Sequence, residues 1–170
     1  LDRSEMYNDP KAITAVKTEG RALLDADCWL EETVVEKDIL VAKAQAEKRM
    51  IHIGEFMSIC SIKFWECDPR KHKYKGRICF RGDSVKDQDG AAAVFQELTA
   101  SPTTVQSANS NIAYGCLEGN ETQQADAVRA YVQALLKSKH ATWVRIPKEL
   151  WPEEWHKRGL KRPMCLLKKA

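Results

Sequence analysis

Apolar and polar positions recur with two different periods along this chain, and each change of period marks an element. Asp9-Pro10 supplies an N-cap and a proline suited to the first helical position. Ile13, Val16, Ala22, Leu23 and Leu24 then recur at roughly helical spacing through Asp27. Gly20 interrupts that run, at about 1 kcal/mol relative to alanine. Cys28-Trp29-Leu30 opens a short extended piece through Val35, and residues 36–50, rich in Ala, Glu, Lys, Leu and Met with neither Gly nor Pro, predict a second helix. From residue 51 the period shortens. Ile51, Ile53, Phe56, Ile59, Ile62, Phe64 and Trp65 are β-branched or aromatic and partly alternate, Asp68-Pro69 signals a turn, and Tyr74 to Phe80 reads as a returning strand. The pattern predicts a β-hairpin with a basic run at its tip.

Beyond the hairpin, Gly82 to Gly90 reads as a polar loop, Ala91 to Leu98 as a short helix ending before Pro102, and 103–117 as another helix. Residues 121–126 read as a strand, Ala127 to Lys139 as a turn leading into a short helix, and Ala141 to Ile146 and Met164 to Leu167 as strands. The fold class is α+β: an antiparallel β-hairpin and a small sheet packed with helices. No stretch approaches the roughly 18–20 apolar residues that span a bilayer, and no basic segment followed by an apolar one opens the chain as a secretory signal does.

At 170 residues, with 44% hydrophobic and 30% charged residues, the composition is that of a folding chain and excludes a low-complexity tail or a disulfide miniprotein. The overall charge of +3 hides an asymmetry: residues 1–66 carry a net −4 and residues 67–170 a net +7. Two clusters supply the positive side: Arg70, Lys71, Lys73, Lys75, Arg77 and Arg81, then Lys157, Arg158, Lys161, Arg162, Lys168 and Lys169. Such clusters either bind anions or stand as solvated surface charge. The six cysteines form no C-x-x-C pair and do not combine with the four histidines at zinc spacings. Free, mostly buried thiols in a reduced, intracellular setting are expected.

Candidate chemistry is sparse. The chain has no G-x-x-x-x-G-K, G-x-G-x-x-G, G-x-S-x-G or H-E-x-x-H. Lys73, Lys75 and Arg77 alternate, which places them on one face of a strand. Three cations on one face suit a polyphosphate or nucleic-acid backbone, or else a solvated edge that discourages aggregation. Asp126 is either a metal-binding carboxylate at a strand-to-turn junction, or a helix cap or surface acid.

Taken in order, the segments resemble the N-terminal part of a copia-type long-terminal-repeat retrotransposon reverse transcriptase, over most of the chain. Asn8-Asp9-Pro10 with Ala12, Ala15, Val16, Glu19, Ala22 and Leu23 resembles its entry helix, and Cys28-Trp29-Leu30 its "x-W-x-L" piece. Tyr74 to Gly82 resembles "Y-K-A-R-L-V-A-R-G", Phe95 to Pro102 stands where the family has "E-T-F-A-P-V", and Asp126 to Val132 resembles "D-V-K-T-A-F-L". Val144 to Pro147 and Cys165 to Ala170 resemble the later "V-Y-M-x-x-P" and "C-x-L-x-K-A-L-Y-G" blocks.

The resemblance implies one incomplete reverse-transcriptase domain over 1–170, about 1–120 fingers-like and about 121–170 the start of a palm. It implies Asp126 as the first catalytic carboxylate and a ligand of Mg²⁺, and Ala127 and Tyr131 at the nucleotide, Tyr131 as the steric gate against a 2′-hydroxyl. It implies Lys75 and Arg77 on the triphosphate, and Arg70, Lys71, Lys73 and Arg81 on nucleic acid. Its partners would be an RNA or DNA primer–template, deoxynucleoside triphosphates and the remainder of a Pol polyprotein, without a membrane, in the cytoplasm (a virus-like particle) or the nucleus. The chain departs from the pattern in polar Thr122 to Ala125, in Val128 and Ala134, and in having no Asp-Asp pair, and it begins at Leu1 and ends in an apolar stretch as a fragment would. Alone, it is therefore expected not to polymerise DNA. The alternative reading is a non-catalytic nucleic-acid-binding remnant that uses the basic hairpin 70–81.

Overall fold

The computed structural model describes residues 1–93, 103–125 and 130–169, with the side chain of Tyr131 outside the description. The chain divides into two compact units, one formed by residues 1–93 with 131–170 and the other by 94–130. It is mixed α and β, with a five-stranded sheet in the first unit.

Helix α1 (Arg3–Asn8) starts on a capping box. The Asp2 carboxylate accepts from the Glu5 N–H (2.7 Å), and the Glu5 carboxylate accepts from the Asp2 N–H (2.8 Å). The Asp-x-x-Glu spacing that signals this element was not read as a helix start in the sequence. Helix α2 (Pro10–Asp25) begins as expected, with Asp9 accepting from the Lys11 N–H at 2.8 Å. Its buried face is Ala12, Val16, Gly20 and Leu23. Gly20 is a contact point rather than an interruption: a methyl group there would lie 2.4 Å from the Leu150 side chain.

Strand β1 (Trp29–Glu36), helix α3 (Lys37–Ala46) and the hairpin strands β2 (Ile51–Lys63) and β3 (Lys73–Phe80) fall where the hydrophobic pattern puts them. Strands β4 (Ala141–Arg145) and β5 (Pro163–Leu167) complete the sheet in the order β1-β5-β4-β2-β3. Strands from both sides of residue 120 thus share one sheet. The β4–β2 pair is parallel and the other three are antiparallel. Strand β2 is long enough to serve two neighbours. Its first five residues pair with β4, and Phe56 to Lys63 pair with β3, so the hairpin runs on past the main sheet.

Both faces of the sheet are covered in part. Leu23, Cys28, Trp29, Phe56, Val144, Ile146, Trp155, Cys165 and Leu167 form the main core. On the other side Leu40 and Ala44 of α3 close over Ile51, Ile53 and Met164. A third cluster joins α1 and α2 to the hairpin through Met6, Ala12, Val16 and Cys60. Trp155 belongs to helix α5 (Glu153–Lys157), a short element for which the sequence pattern predicts nothing.

Three expectations need correction. Ala91–Ala93 do not start a helix, because Ala92 bridges Lys86, which in turn bridges Ile53; the remainder of that expected helix, 94–98, lies outside the described residues. Residues 121–125 form no strand, and their polar run Glu121-Thr122-Gln123-Gln124 offers nothing to bury. The Ala127–Lys139 region holds only the 3-10 turn Ala130–Val132 among its described residues. In the second unit, helix α4 (Val105–Gly115) is capped by Thr104, whose hydroxyl accepts from the Ser107 N–H. Among the described residues no helix is long and apolar enough to cross a membrane.

Candidate functional site

From Lys73 to Ile78 the returning hairpin strand alternates exposed with covered positions. Tyr74, Gly76, Ile78 and Phe80 turn toward α2 and the core, while Lys73, Lys75 and Arg77 are exposed on the opposite face. The inner face fixes the hairpin against α2. At Gly76 a methyl group would lie 2.5 Å from the backbone carbonyl of Ala15, so the helix backbone rests directly on the strand. The Tyr74 hydroxyl donates to the Asp9 carboxylate; this bond holds Asp9 below the ordinary carboxylate range and pushes the Tyr74 phenol up. The N-cap of α2 is therefore tied to the strand that carries the cations.

On the outer face, Lys73, Lys75 and Arg77 sit directly opposite Lys63, Ser61 and Ile59 of β2. None of these four cations has a salt bridge to a described residue. The Lys63–Lys73 pair is notable, since like charges directly opposite in an antiparallel pair repel. Lys63 was not among the residues singled out from sequence. Folding the hairpin about Asp68-Pro69 and reading across the register would have found it.

Several other residues of the two basic clusters are engaged elsewhere. Arg70 is bonded to Asp68 through two 3.1 Å contacts, and Asp68 is held low by that guanidinium. Arg81 lies 2.9 Å from Glu55 and 3.0 Å from Asp83, and Glu55 is also bridged by Arg145, its neighbour across the β2–β4 register. Arg81 therefore closes the base of the hairpin. In the C-terminal cluster, Lys157 and Arg158 pair with Glu153 and Glu154, Arg162 with Asp38, and Lys168 with Asp27. Much of the basic C-terminal charge is thus answered by carboxylates of described residues, whereas Lys63, Lys73, Lys75 and Arg77 concentrate positive charge without a described ion pair on one face of the hairpin.

The hairpin tip carries a further feature that the sequence reading passed over. Phe64 adopts a left-handed backbone conformation (φ 60°), and its side chain and that of Trp65 stand in water at 50% and 71% exposure. His72 pins the turn: its Nε2 lies 3.1 Å from the Trp65 carbonyl and 3.2 Å from the Cys67 carbonyl, and its ring lies against the Trp65 indole at 6.2 Å.

Asp126 and Ala127 lie outside the described residues, and for Tyr131 only the backbone turn Ala130–Val132 is described. Of the expected site, then, the structure brings together Lys73, Lys75 and Arg77, with Lys71 beside them in the turn Pro69–Lys71. Among the described residues no group of three or more His, Cys, Asp or Glu is placed to hold a metal. Compared with protein-family models, curated proteins and solved structures, the chain matches none.

Proposed function

We propose that this chain is part of an RNA-directed DNA polymerase of the copia type, in which the β2–β3 hairpin holds the triphosphate of an incoming deoxynucleotide. The observation that carries the reading is the exposed row of Lys73, Lys75 and Arg77, without an ion pair to any described residue, on a strand whose other face is anchored to α2. Anchoring fixes the direction in which the cations point, so an arriving polyphosphate meets charges already arranged. Charge-assisted hydrogen bonds from Lys and Arg to phosphate are the strong class of such bonds, and Arg77 adds a planar fork suited to two phosphate oxygens. Asp126 and Mg²⁺ belong to this reading through the resemblance, as do Ala127 and Tyr131 around the sugar and base.

Binding of a magnesium–deoxynucleoside triphosphate to the chain, followed by calorimetry, tests the hairpin's part. Lys75→Ala and Arg77→Ala should each weaken it about tenfold or more, whereas Lys157→Ala should not. Unchanged binding in both hairpin variants would sink the assignment. Primer extension tests the enzyme. The chain alone should extend no primer, and in a protein completed with an Asp-Asp segment Asp126→Asn should abolish synthesis while template binding survives. A completed protein that binds template but never extends it would favour the non-catalytic remnant.

A further inference from the structure

We infer that the hairpin tip is a base-stacking platform for single-stranded nucleic acid, with Trp65 as the ring that receives a base and Phe64 beside it. The inference names the strand that the proposed polymerase hairpin would meet. It rests on that reading only for the word template, since the chemistry of the tip is complete without it.

Three observations meet at the tip. First, two large aromatic side chains are left in water by a fold that buries Trp29, Phe56 and Trp155. Second, the backbone is strained to put them there. A bulky residue at positive φ is a true outlier, and such strain gathers where a surface is arranged for a ligand. His72 then holds the Trp65 carbonyl and stands against one side of the indole, while most of that side chain remains open to solvent. Third, the rings sit within a cationic element. Residues 57–80 hold six basic and two acidic side chains, including the mutually repelling Lys63–Lys73 pair next to the turn.

Aromatic rings and unpaired cations together describe a single strand, because its unstacked bases have free π-faces and its phosphates need positive charge. A duplex hides its base faces and would engage the cations alone. An anionic lipid surface also accepts tryptophan and lysine, but the strand geometry favours the polymer. Lys73, Lys75 and Arg77 repeat along one line from the tip, as the phosphates of an extended strand do.

The test uses the full 170-residue chain and a labelled oligo(dT) of about 12 nucleotides, within the site sizes such surfaces cover. The oligonucleotide should bind and quench part of the tryptophan emission. Trp65→Ala should remove that quench and weaken single-strand binding about tenfold, with duplex binding and the salt slope unchanged; Trp65→Phe should recover much of the affinity. Lys63→Ala and Lys73→Ala should weaken single-strand and duplex binding alike and flatten the salt dependence. Phe64→Gly, which relieves the backbone, should fold at least as stably yet bind the single strand less well. Equal single-strand affinity in Trp65→Ala, equal losses on duplex, or binding to anionic phospholipid vesicles in place of oligo(dT) would each overturn the inference. Failure of triphosphate binding at Lys75 and Arg77, with these results intact, would instead remove the polymerase reading alone.

Discussion

A methyl group at Gly76 would stand 2.5 Å from the carbonyl carbon and oxygen of Ala15 and 2.6 Å from the Val16 nitrogen, all of them helix backbone. No side-chain rotation relieves such a contact. In this chain α2 therefore lies closer to the hairpin than alanine allows. Gly76→Ala should destabilise the protein by about 2 kcal/mol or more, measured by urea unfolding. The thiols are equally specific. Cys28, Cys60 and Cys165 are buried, Cys67 and Cys116 exposed. An aromatic disulfide reagent should titrate Cys67 and Cys116 quickly and the three buried thiols only after unfolding. Burial, aided by nearby Glu31 and Glu32, pushes Cys165 up to about 12. Its protonated form is then favoured by folding, so its contribution is complete below the ordinary thiol range near 9 and is lost as pH climbs toward 12. Cys165→Ala should shallow the alkaline limb of a stability–pH curve, whatever it costs in packing.

At the level of elements, the hairpin and α2 behave as one piece, joined by the Asp9–Tyr74 bond as well as by Gly76. Tyr74→Phe should lower stability and return the Asp9 carboxyl toward its usual range, followed by its NMR titration. The sign is fixed by the depressed native value: Asp9 stabilises at neutral pH, and that contribution goes as acid protonates it, so the acid limb should soften in Tyr74→Phe. These elements were legible because their burial follows a single period. Val16 and Leu23 of the periodic residues lie on the buried face of α2, and Lys73 to Ile78 alternate between exposed and covered. Helices α1 and α5 were not, because each is a turn or two long and held by local capping or a single buried Trp155 rather than by a repeating stripe. The row of Lys73, Lys75 and Arg77 was visible as spacing, whereas Lys63 and Trp65 gained meaning only from cross-strand register and from exposure. A sequence lists neither.

On the scale of the whole molecule, the acidic first part and the basic last part meet at a few points. Asp38 meets Arg162 at 2.8 Å, Asp27 meets Lys168 at 3.7 Å, and the Glu36 carboxylate accepts from the backbone N–H groups of Lys161 and Arg162. These contacts are solvent-exposed, so each ion pair is worth about 0–1 kcal/mol, and raising salt should leave thermal stability nearly unchanged. Among the described residues, the core clusters draw on 1–93 and 131–170. Replacing 94–130 with a flexible Gly/Ser linker should therefore leave a cooperatively unfolding sheet with the same far-ultraviolet strand signal; a non-cooperative melt would show that the second unit is needed to build the first. The sheet also sets a clock. Strands β2 and β3 are neighbours in sequence and can pair within microseconds, but Trp29 waits for Leu167 before β1 has a partner. Closing so distant a contact is slow. On a ribosome, β1 is among the first strands made and the last to be paired, so the time spent translating β4 and β5 is the interval in which this chain is most exposed to misassembly.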